Sequence, residues 1–286
     1  MQLAMIHDKI MPYEDLDPVY LDRGTFFGDG VYEVIRSYEG RIFALDKHLK
    51  RFERSLDQVQ ITGIDIQEVR SRIETAFERA NIANAKIYFH VTRGSATRSH
   101  GLAVELQPNF FLTITQLEDN SQKKLNGIRV STYPDLRWKR CDIKSLNLLP
   151  NVMARMDAEK KGCQEAILID ENGDITEGSA SAFFMIMASE KKLITRQLGK
   201  EILPSITRRI IEEIAPKVGL AVVEHKMTPF QAKNADELII AVTTQDVIGI
   251  VEFDGEKIGD GKVGEYTKKL MIEFGKYVAE MSGCEQ

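Results

Sequence analysis

The sequence has few cysteines, no long apolar run and no concentration of positive charge. Its three cysteines, Cys141, Cys163 and Cys284, are odd in number and far apart, which predicts reduced thiols rather than a disulfide framework. No apolar run approaches the length that spans a membrane, and the first residues have neither the basic head nor the apolar core of a signal peptide. We therefore expect a cytoplasmic protein.

Two further kinds of site are excluded by the distribution of charged residues and histidines. The chain has 38 basic and 43 acidic residues, a formal net charge of -5, and no basic run that would form a surface for nucleic acid. Its five histidines are scattered, and no pair has the spacing of zinc ligands. We therefore expect neither a nucleic-acid partner nor a metal site.

The overall composition is that of an ordinary folded chain. Of its 286 residues, 43% are hydrophobic and 28% are charged, which is close to the average for globular proteins. The length exceeds one typical core, so two domains are expected. Residues 118–127 are polar and lack periodicity, which predicts a linker between a small α+β domain at 1–117 and a larger domain at 128–286.

Turn residues and hydrophobic periodicity predict the elements of the first domain. Hairpins are expected to turn at Asp8 and Lys9 and again at Glu39 and Gly40. Asp46 is expected to cap a helix that has one apolar face. The remaining elements are predicted as a helix at 66–81 and strands at 86–94 and 109–117.

The second domain is predicted to contain more strands than helices. A helix at 147–161 is expected to end at Gly162, and a second helix is expected to begin after Ser205 and end at Gly219. The strands are predicted at 128–138, 165–170, 221–227, 237–244 and 247–253, and a last helix is predicted from about Val263.

Lys144 lies in the stretch RCDIKSLNLLPN, where a strand pattern gives way to a helix. A lysine partly removed from water loses proton affinity, and its free amine can form a Schiff base with an aldehyde. On position alone, an ordinary solvated lysine is the more frequent case.

Two other segments suggest sites for the ends of an aromatic phosphate ligand. Glu177 precedes an apolar strand, where a carboxylate could hold a proton on a heteroaromatic nitrogen or could simply belong to a turn. Ile206 and Thr207 open the helix after Ser205. Free amides and the positive dipole at such a helix end suit a phosphate, although a helix cap explains the same pattern.

Further candidate ligands lie on a strand end, a helix and a loop. Thr243 and Thr244 end an apolar strand, and Arg51 flanks the apolar face of its helix; each suits a phosphate or an ordinary surface position. Arg98 and His100 lie in the small polar loop GSATRSHG. An arginine beside an imidazole makes a good carboxylate receptor, because the guanidinium group can bind both oxygens.

Together, an amine for an aldehyde, a carboxylate for a ring nitrogen, phosphate donors and a carboxylate receptor describe pyridoxal phosphate handling an amino acid. Here the chain resembles the fold-type IV aminotransferases, and among them the D-amino-acid aminotransferases, over nearly its whole length. The matching motifs are DRGTFFGDGVYEV, IYFHVTRGSATRSHG, RWKRCDIKSLNLL, EAILIDENGDITEGSAS, ILPSITR and DGKVGEYTKKL.

The resemblance implies a fold and a set of roles. It implies an α+β, fold-type IV protein with a small α+β domain, a larger pseudo-barrel domain and a homodimeric assembly. It implies that Lys144 is the catalytic Schiff-base lysine and that Glu177 pairs with the pyridine nitrogen. The phosphate would be held by Arg51, Ile206, Thr207, Thr243 and Thr244.

The same resemblance implies how the substrate is held. Tyr32 would join Arg98 and His100 in gripping the substrate carboxylate, and the latter two would reach in from the neighbouring subunit. The implied reaction is transamination between a D-amino acid such as D-alanine and a 2-oxo acid such as 2-oxoglutarate, giving pyruvate and D-glutamate.

Three alternatives remain at this stage. Branched-chain L-amino-acid aminotransferases and aminodeoxychorismate lyase have the same fold, and a non-catalytic pyridoxal phosphate carrier is a third possibility. The loop TRSH favours the D-specific reaction, because it offers a receptor for the α-carboxylate. A carrier has no need of Tyr32, Arg98 and His100.

Overall fold

A computed structural model describes residues 1–101 and 105–281 of the chain. Within these residues, Cys141 and Cys163 are free thiols, as predicted, whereas Cys284 lies outside them. No helix in the described ranges is long and apolar enough to cross a membrane. The same ranges contain no group of three or more His, Cys, Asp or Glu side chains placed to hold a metal ion.

The first part of the chain forms a hairpin and an antiparallel sheet. Their strands are β1 (Leu3–Ile6), β2 (Lys9–Pro12), β3 (Gly30–Tyr38), β4 (Arg41–Ile42), β5 (Ala85–Thr92) and β6 (Asn109–Gln116). The sheet has the order β4-β3-β5-β6. Side chains alternate between the two faces of a strand. Val31 and Ile35 of β3 therefore point into the hydrophobic core on one face of the small sheet, and residues on the opposite face of the strand do not belong to this core.

The second part forms one larger sheet. Its strands are β7 (Ile128–Pro134), β8 (Glu165–Ile169), β9 (Ile175–Gly178), β10 (Ala182–Met187), β11 (Lys192–Thr195), β12 (Ala221–Glu224), β13 (Glu237–Val242), β14 (Asp246–Phe253) and β15 (Glu256–Lys257). The order is β12-β11-β10-β13-β14-β7-β8-β9, with β15 beside β14. The Gly178 N–H donates to the Ser181 carbonyl at 2.7 Å, so the edge strand β9 returns to β10 and the sheet curls. The predicted pseudo-barrel is confirmed.

Helices cover the outer faces of both sheets. They are α1 (Arg23–Phe27), α2 (Leu45–Gln58), α3 (Ile66–Ala80), α4 (Ser121–Asn126), α5 (Leu149–Lys160), α6 (Ile206–Ile214), α7 (Pro229–Lys233) and α8 (Glu265–Met281). Short 3₁₀ helices lie at Tyr13–Asp15, Pro18–Leu21 and Ala215–Val218.

Strand β10 shows how the alternation of side chains separates two cores. Phe183 and Met185 lie inside the curled sheet, in a cluster with residues of β7, β8, β9, β13 and β14. Phe184 and Ile186 point outward, into a cluster with α6 and α8. The strand is therefore buried on both faces, which explains its unbroken apolar sequence.

Several element boundaries follow the sequence pattern closely. The second hairpin turns at Glu39 and Gly40, as predicted, with φ of 48° and 81°. Ser205 caps α6, because its Oγ accepts the Arg208 N–H at 3.2 Å. The helical segment ends at Gly219, whose φ is 82°. These predictions succeeded because the turn and cap chemistry is local.

Two local predictions were wrong. The first hairpin turns at His7 and Asp8, since Lys9 already pairs with Ile6. Asp46 does not cap α2: the cap position is Ala44, in a left-handed conformation with φ of 53°.

The predicted linker contains a helix that the sequence pattern did not reveal. Helix α4 begins at Ser121, whose N–H donates to the Asp119 carboxylate at 2.9 Å, and it ends before Gly127, whose φ is 72°. A six-residue helix is too short to show periodicity. The division of the chain into two domains at this segment stays a prediction.

We predict that Phe253→Ala destabilises the protein by about 3–5 kcal/mol, because it leaves a cavity inside the curled sheet. Phe253 is fully buried there. The matched control is Phe230→Ala, since the Phe230 side chain is 77% exposed. Urea unfolding monitored by circular dichroism should separate the two variants, and equal midpoints would contradict this account of the core.

Candidate active site

A cavity of about 750 Å³ lies between the uncovered face of the small sheet and the curled sheet. Because β3 presents alternate residues to its two faces, Tyr32 and Val34 face the cavity while Val31 and Ile35 face the core. Most of the residues predicted from the sequence line this cavity: Tyr32, Arg51, Lys144, Glu177, Thr243 and Thr244.

Lys144 is held in place by backbone pairing with the first residues of β3. The Tyr32 N–H donates to the Lys144 carbonyl at 2.9 Å, and the Leu146 N–H donates to the Gly30 carbonyl at 3.0 Å. A Cβ at Gly30 would lie 2.7 Å from Leu146 Cδ1 and 2.6 Å from the Val91 carbonyl oxygen, so this approach requires glycine. The Lys144 ammonium then lies 4.3 Å from the centre of the Tyr32 ring.

Glu177 lies at the end of β9, with only 6% of its surface exposed. Burial raises the pKa of its carboxyl group above the ordinary value, and Arg137 opposes this effect. Arg137 Nη1 lies 2.5 Å from Oε1, and the Leu203 N–H donates to the same oxygen at 3.1 Å. The cavity wall therefore offers a carboxyl group of fixed orientation that can share a proton with a basic ligand atom.

Arg51 reaches the cavity from α2 and is fixed by a buried carboxylate. Its Nε and Nη2 donate to the two oxygens of Glu33 at 2.7 and 2.8 Å, and its Nη1 donates to the Pro204 carbonyl at 3.0 Å. His48 Nδ1 lies 2.8 Å from Glu33. Burial acts to raise the pKa of Glu33, but Arg51 and His48 outweigh it and hold the pKa well below its usual range. Glu33 therefore stays charged and orients the guanidinium group.

The N-terminus of α6 lies near Arg51, and its cap residue is the part that lines the cavity. Ser205 lines the cavity, whereas Ile206 and Thr207, in the first turn behind it, are buried and do not. Thr243 and Thr244 line it from the turn between β13 and β14. This part of the wall thus combines the guanidinium group of Arg51, the N-terminus of α6 and two threonines. These groups suit a phosphate.

Arg98 and His100 belong to the described residues but do not line the cavity of their own chain. Both are exposed. The Arg98 guanidinium carbon and the His100 ring centre each lie 5.2 Å from the centre of the Phe27 ring. Arg23 holds the loop by donating to the Ser99 carbonyl at 2.6 Å. The two residues predicted to receive a carboxylate therefore lie together on the surface and outside this chain's cavity.

Sequence reasoning missed Glu33, His48 and Arg137. For Glu33 a signal existed, because it shares the buried face of β3 with Val31 and Ile35, and a charge among apolar residues at period two needs a partner. Its partners Arg51 and His48 lie one turn apart on α2. Arg137 gave no such signal, since its partner Glu177 comes from a different segment.

The donor set of the cavity fits pyridoxal 5'-phosphate. Lys144 would offer an amine for its aldehyde, Glu177 a carboxyl group for its ring nitrogen, and Arg51 a cation for its phosphate. A volume of about 750 Å³ is within the range of small-molecule sites and leaves space for a substrate beside the cofactor.

Comparison with known proteins agrees with this interpretation of the site. The family described as amino-transferase class IV matches residues 30–253. The chain is 36% identical to a D-alanine aminotransferase of Staphylococcus haemolyticus, over 99% of this chain and all of that protein. It is 38% identical to a D-alanine aminotransferase of Staphylococcus aureus strain N315, again over 99% of this chain and all of that protein.

Solved structures agree on the fold. The Escherichia coli branched-chain amino acid aminotransferase has a TM-score of 0.84 at 21% identity, covering 94% of this chain and 92% of that one. A branched-chain aminotransferase of the archaeon Thermoproteus uzoniensis, with norvaline, has a TM-score of 0.82 at 23% identity, covering 97% and 94%. The family match and the full-length similarity to curated relatives show that the chain belongs to the class IV aminotransferases.

Proposed function

We propose that this protein is a pyridoxal-phosphate-dependent aminotransferase that moves the amino group of a D-amino acid, such as D-alanine, to a 2-oxo acid, such as 2-oxoglutarate. The observation that carries the proposal is the meeting of Lys144, Glu177 and Arg51 at one cavity. Similarity of 36% and 38% to two D-alanine aminotransferases over nearly the full chain supports the substrate class.

Lys144 carries two roles in this proposal. Its amine is the covalent attachment point for the aldehyde of the cofactor. With its amine free, Lys144 Nζ would take the α-proton of the substrate as a general base and later return it as a general acid. When bound, pyridoxal phosphate supplies the electron-withdrawing ring that stores the electron pair left on the α-carbon.

Glu177 and Arg137 act together at the ring nitrogen. The Glu177 carboxyl group holds a proton on that nitrogen, and the proton makes the ring a stronger electron acceptor. Arg137, 2.5 Å from Glu177, favours the carboxylate form that a protonated nitrogen requires. The Leu203 N–H fixes the orientation of the same carboxyl group.

We assign the phosphate to the wall formed by Arg51, the N-terminus of α6 and the β13–β14 turn. Ile206 and Thr207 would donate backbone amides from the first turn of α6. Thr243 and Thr244 would donate from the turn. Glu33 presets the guanidinium of Arg51, so that little freedom remains to be lost on binding.

The substrate carboxylate is assigned to Tyr32 together with Arg98 and His100 of a second copy of the chain. The exposed position of Arg98 and His100 against Phe27, away from their own cavity, supports a shared site in a homodimer. The domain division proposed at residues 118–127 would place each cavity between residues 1–117 and 128–286.

We expect D-alanine to be transaminated roughly a hundredfold faster than L-alanine or L-leucine, because a carboxylate fixed by Arg98 lets only one face of the α-carbon present its proton to Lys144. Purified protein is assayed with each amino acid and 2-oxoglutarate. Faster turnover of L-leucine would assign the protein to branched-chain amino acids. Absence of amino transfer from all of these amino acids would contradict the aminotransferase proposal and leave the lyase alternative.

Replacing Lys144 by alanine should lower turnover by roughly 10²–10⁴-fold or more, because the general base is lost. Borohydride reduction followed by peptide mass measurement should place the cofactor on the peptide that contains Lys144 in the wild type, and should leave the variant unlabelled. Lys139→Ala is the matched control, since the Lys139 side chain is 91% exposed. Normal activity of Lys144→Ala would refute the mechanism.

The shared site is tested by mixing two inactive variants. Lys144→Ala and Arg98→Ala are unfolded and refolded together in equal amounts, which makes about half of the dimers hybrid and should restore roughly a quarter of wild-type activity with D-alanine. Each hybrid has one site with both defects and one with neither.

Each variant refolded alone is the control for this mixing experiment. Hybrid formation is verified with a tag on one of the two variants. No recovery in a sample that contains hybrids would mean that Arg98 and Lys144 of one site come from the same chain, or that Arg98 has no part in the site.

A further inference from the structure

The turn that carries Thr243 and Thr244 is followed by an unusual residue. The Gln245 N–H donates to the Val242 carbonyl at 3.1 Å, and Val242 pairs with Asp246 at the ends of β13 and β14. A hairpin loop built on such a turn often closes with one left-handed residue, and glycine is the residue that best fits there. Asp246 takes this position with φ of 63°, so its side chain must provide something that glycine lacks.

The Asp246 carboxylate is buried and accepts hydrogen bonds from three donors. Arg36 Nη1 and the Tyr38 hydroxyl donate to Oδ1 at 2.7 and 2.5 Å, and Lys124 Nζ donates to Oδ2 at 2.5 Å. The Arg36 guanidinium carbon also lies 3.8 Å from the centre of the Tyr38 ring. Burial and the nearby Asp246 charge raise the pKa of Tyr38 well above its usual range, so Tyr38 keeps the proton that it donates.

These contacts tie the turn to the small sheet. Arg36 and Tyr38 lie on β3, the strand whose Glu33 fixes Arg51. Lys124 belongs to α4, and Asn120, just before that helix, donates to the Thr244 carbonyl at 3.1 Å. Strand β3 thus links both sides of the proposed phosphate site. Glu33, in the middle of the strand, holds Arg51, and the end of the strand holds the turn with Thr243 and Thr244 through Asp246.

We propose that Asp246 is a positioning residue, which holds the Thr243–Thr244 turn at the distance from Arg51 that the cofactor phosphate requires. The inference rests on the proposed function, because it takes Arg51 and the turn as phosphate ligands. Asp246 itself does not touch the phosphate. Asp246 therefore affects the binding of the cofactor phosphate selectively. A residue with only a general role in stability would not show this selectivity.

The test compares two ligands that differ only in the phosphate. Full-length protein freed of cofactor is titrated with pyridoxal 5'-phosphate and with pyridoxal, which lacks the phosphate. For Asp246→Gly we expect the dissociation constant for pyridoxal 5'-phosphate to rise roughly tenfold, about 1.4 kcal/mol. The constant for pyridoxal should not change. Glycine accepts the left-handed backbone, so the variant removes the carboxylate without adding strain.

Asp254→Gly is the matched control. Asp254 follows the other end of β14, also has a left-handed backbone with φ of 51°, and is exposed. Its carboxylate accepts the Thr132 N–H at 2.7 Å and does not line the cavity. This variant loses an aspartate of similar geometry, yet it should bind both ligands like the wild type.

Arg51→Ala separates failure of the inference from failure of the proposed function. If Arg51→Ala weakens binding of pyridoxal 5'-phosphate selectively and Asp246→Gly does not, the positioning role is wrong and the phosphate site stands. If neither variant discriminates between the ligands, the phosphate site and the positioning role are both wrong. Should Asp246→Gly fail to fold, Asp246→Asn and Tyr38→Phe are measured in the same way and must show the same selective loss.

Discussion

The backbone pairing between the Lys144 segment and the first residues of β3 is the constraint on which the rest of the site depends. The hydrogen bond from Tyr32 to the Lys144 carbonyl and the bridge between Val31 and Ser145 join a loop of the curled sheet to the small sheet. This contact fixes the backbone that carries the Lys144 amine. Because Gly30 lacks a side chain, its backbone fits between the Val91 carbonyl of β5 and the Leu146 side chain.

Two buried ion pairs, Glu33 with Arg51 and Arg137 with Glu177, fix a guanidinium group and a carboxyl group at the wall of the cavity. Glu33 holds the Arg51 guanidinium group in a fixed orientation at the wall of the cavity. At Glu177, burial outweighs the effect of Arg137 and leaves a carboxyl group with a raised pKa. Buried pairs of this kind seldom add much stability, since desolvation offsets their attraction. Their value here is orientation, with a cation and a carboxyl group fixed at the wall of one cavity.

Features that depend on neighbours along the chain could be predicted from the sequence alone. It predicted the turn at Glu39 and Gly40, the cap at Ser205, most strands and helices, and, through ordered motifs, the family and its cofactor. Most of the residues that it proposed for the site do line one cavity. Local periodicity and turn chemistry depend on adjacent residues, so the sequence shows them directly.

Contacts between groups that are distant in the sequence depend on how the chain folds. The pairing of Glu33 with Arg51, of Arg137 with Glu177 and of Asp246 with β3 joins segments up to 210 residues apart. No periodicity connects such partners, because their contact depends on how two sheets pack and how one of them curls. The helix at 121–126 escaped prediction for a different reason, because six residues are too few to show an apolar periodicity.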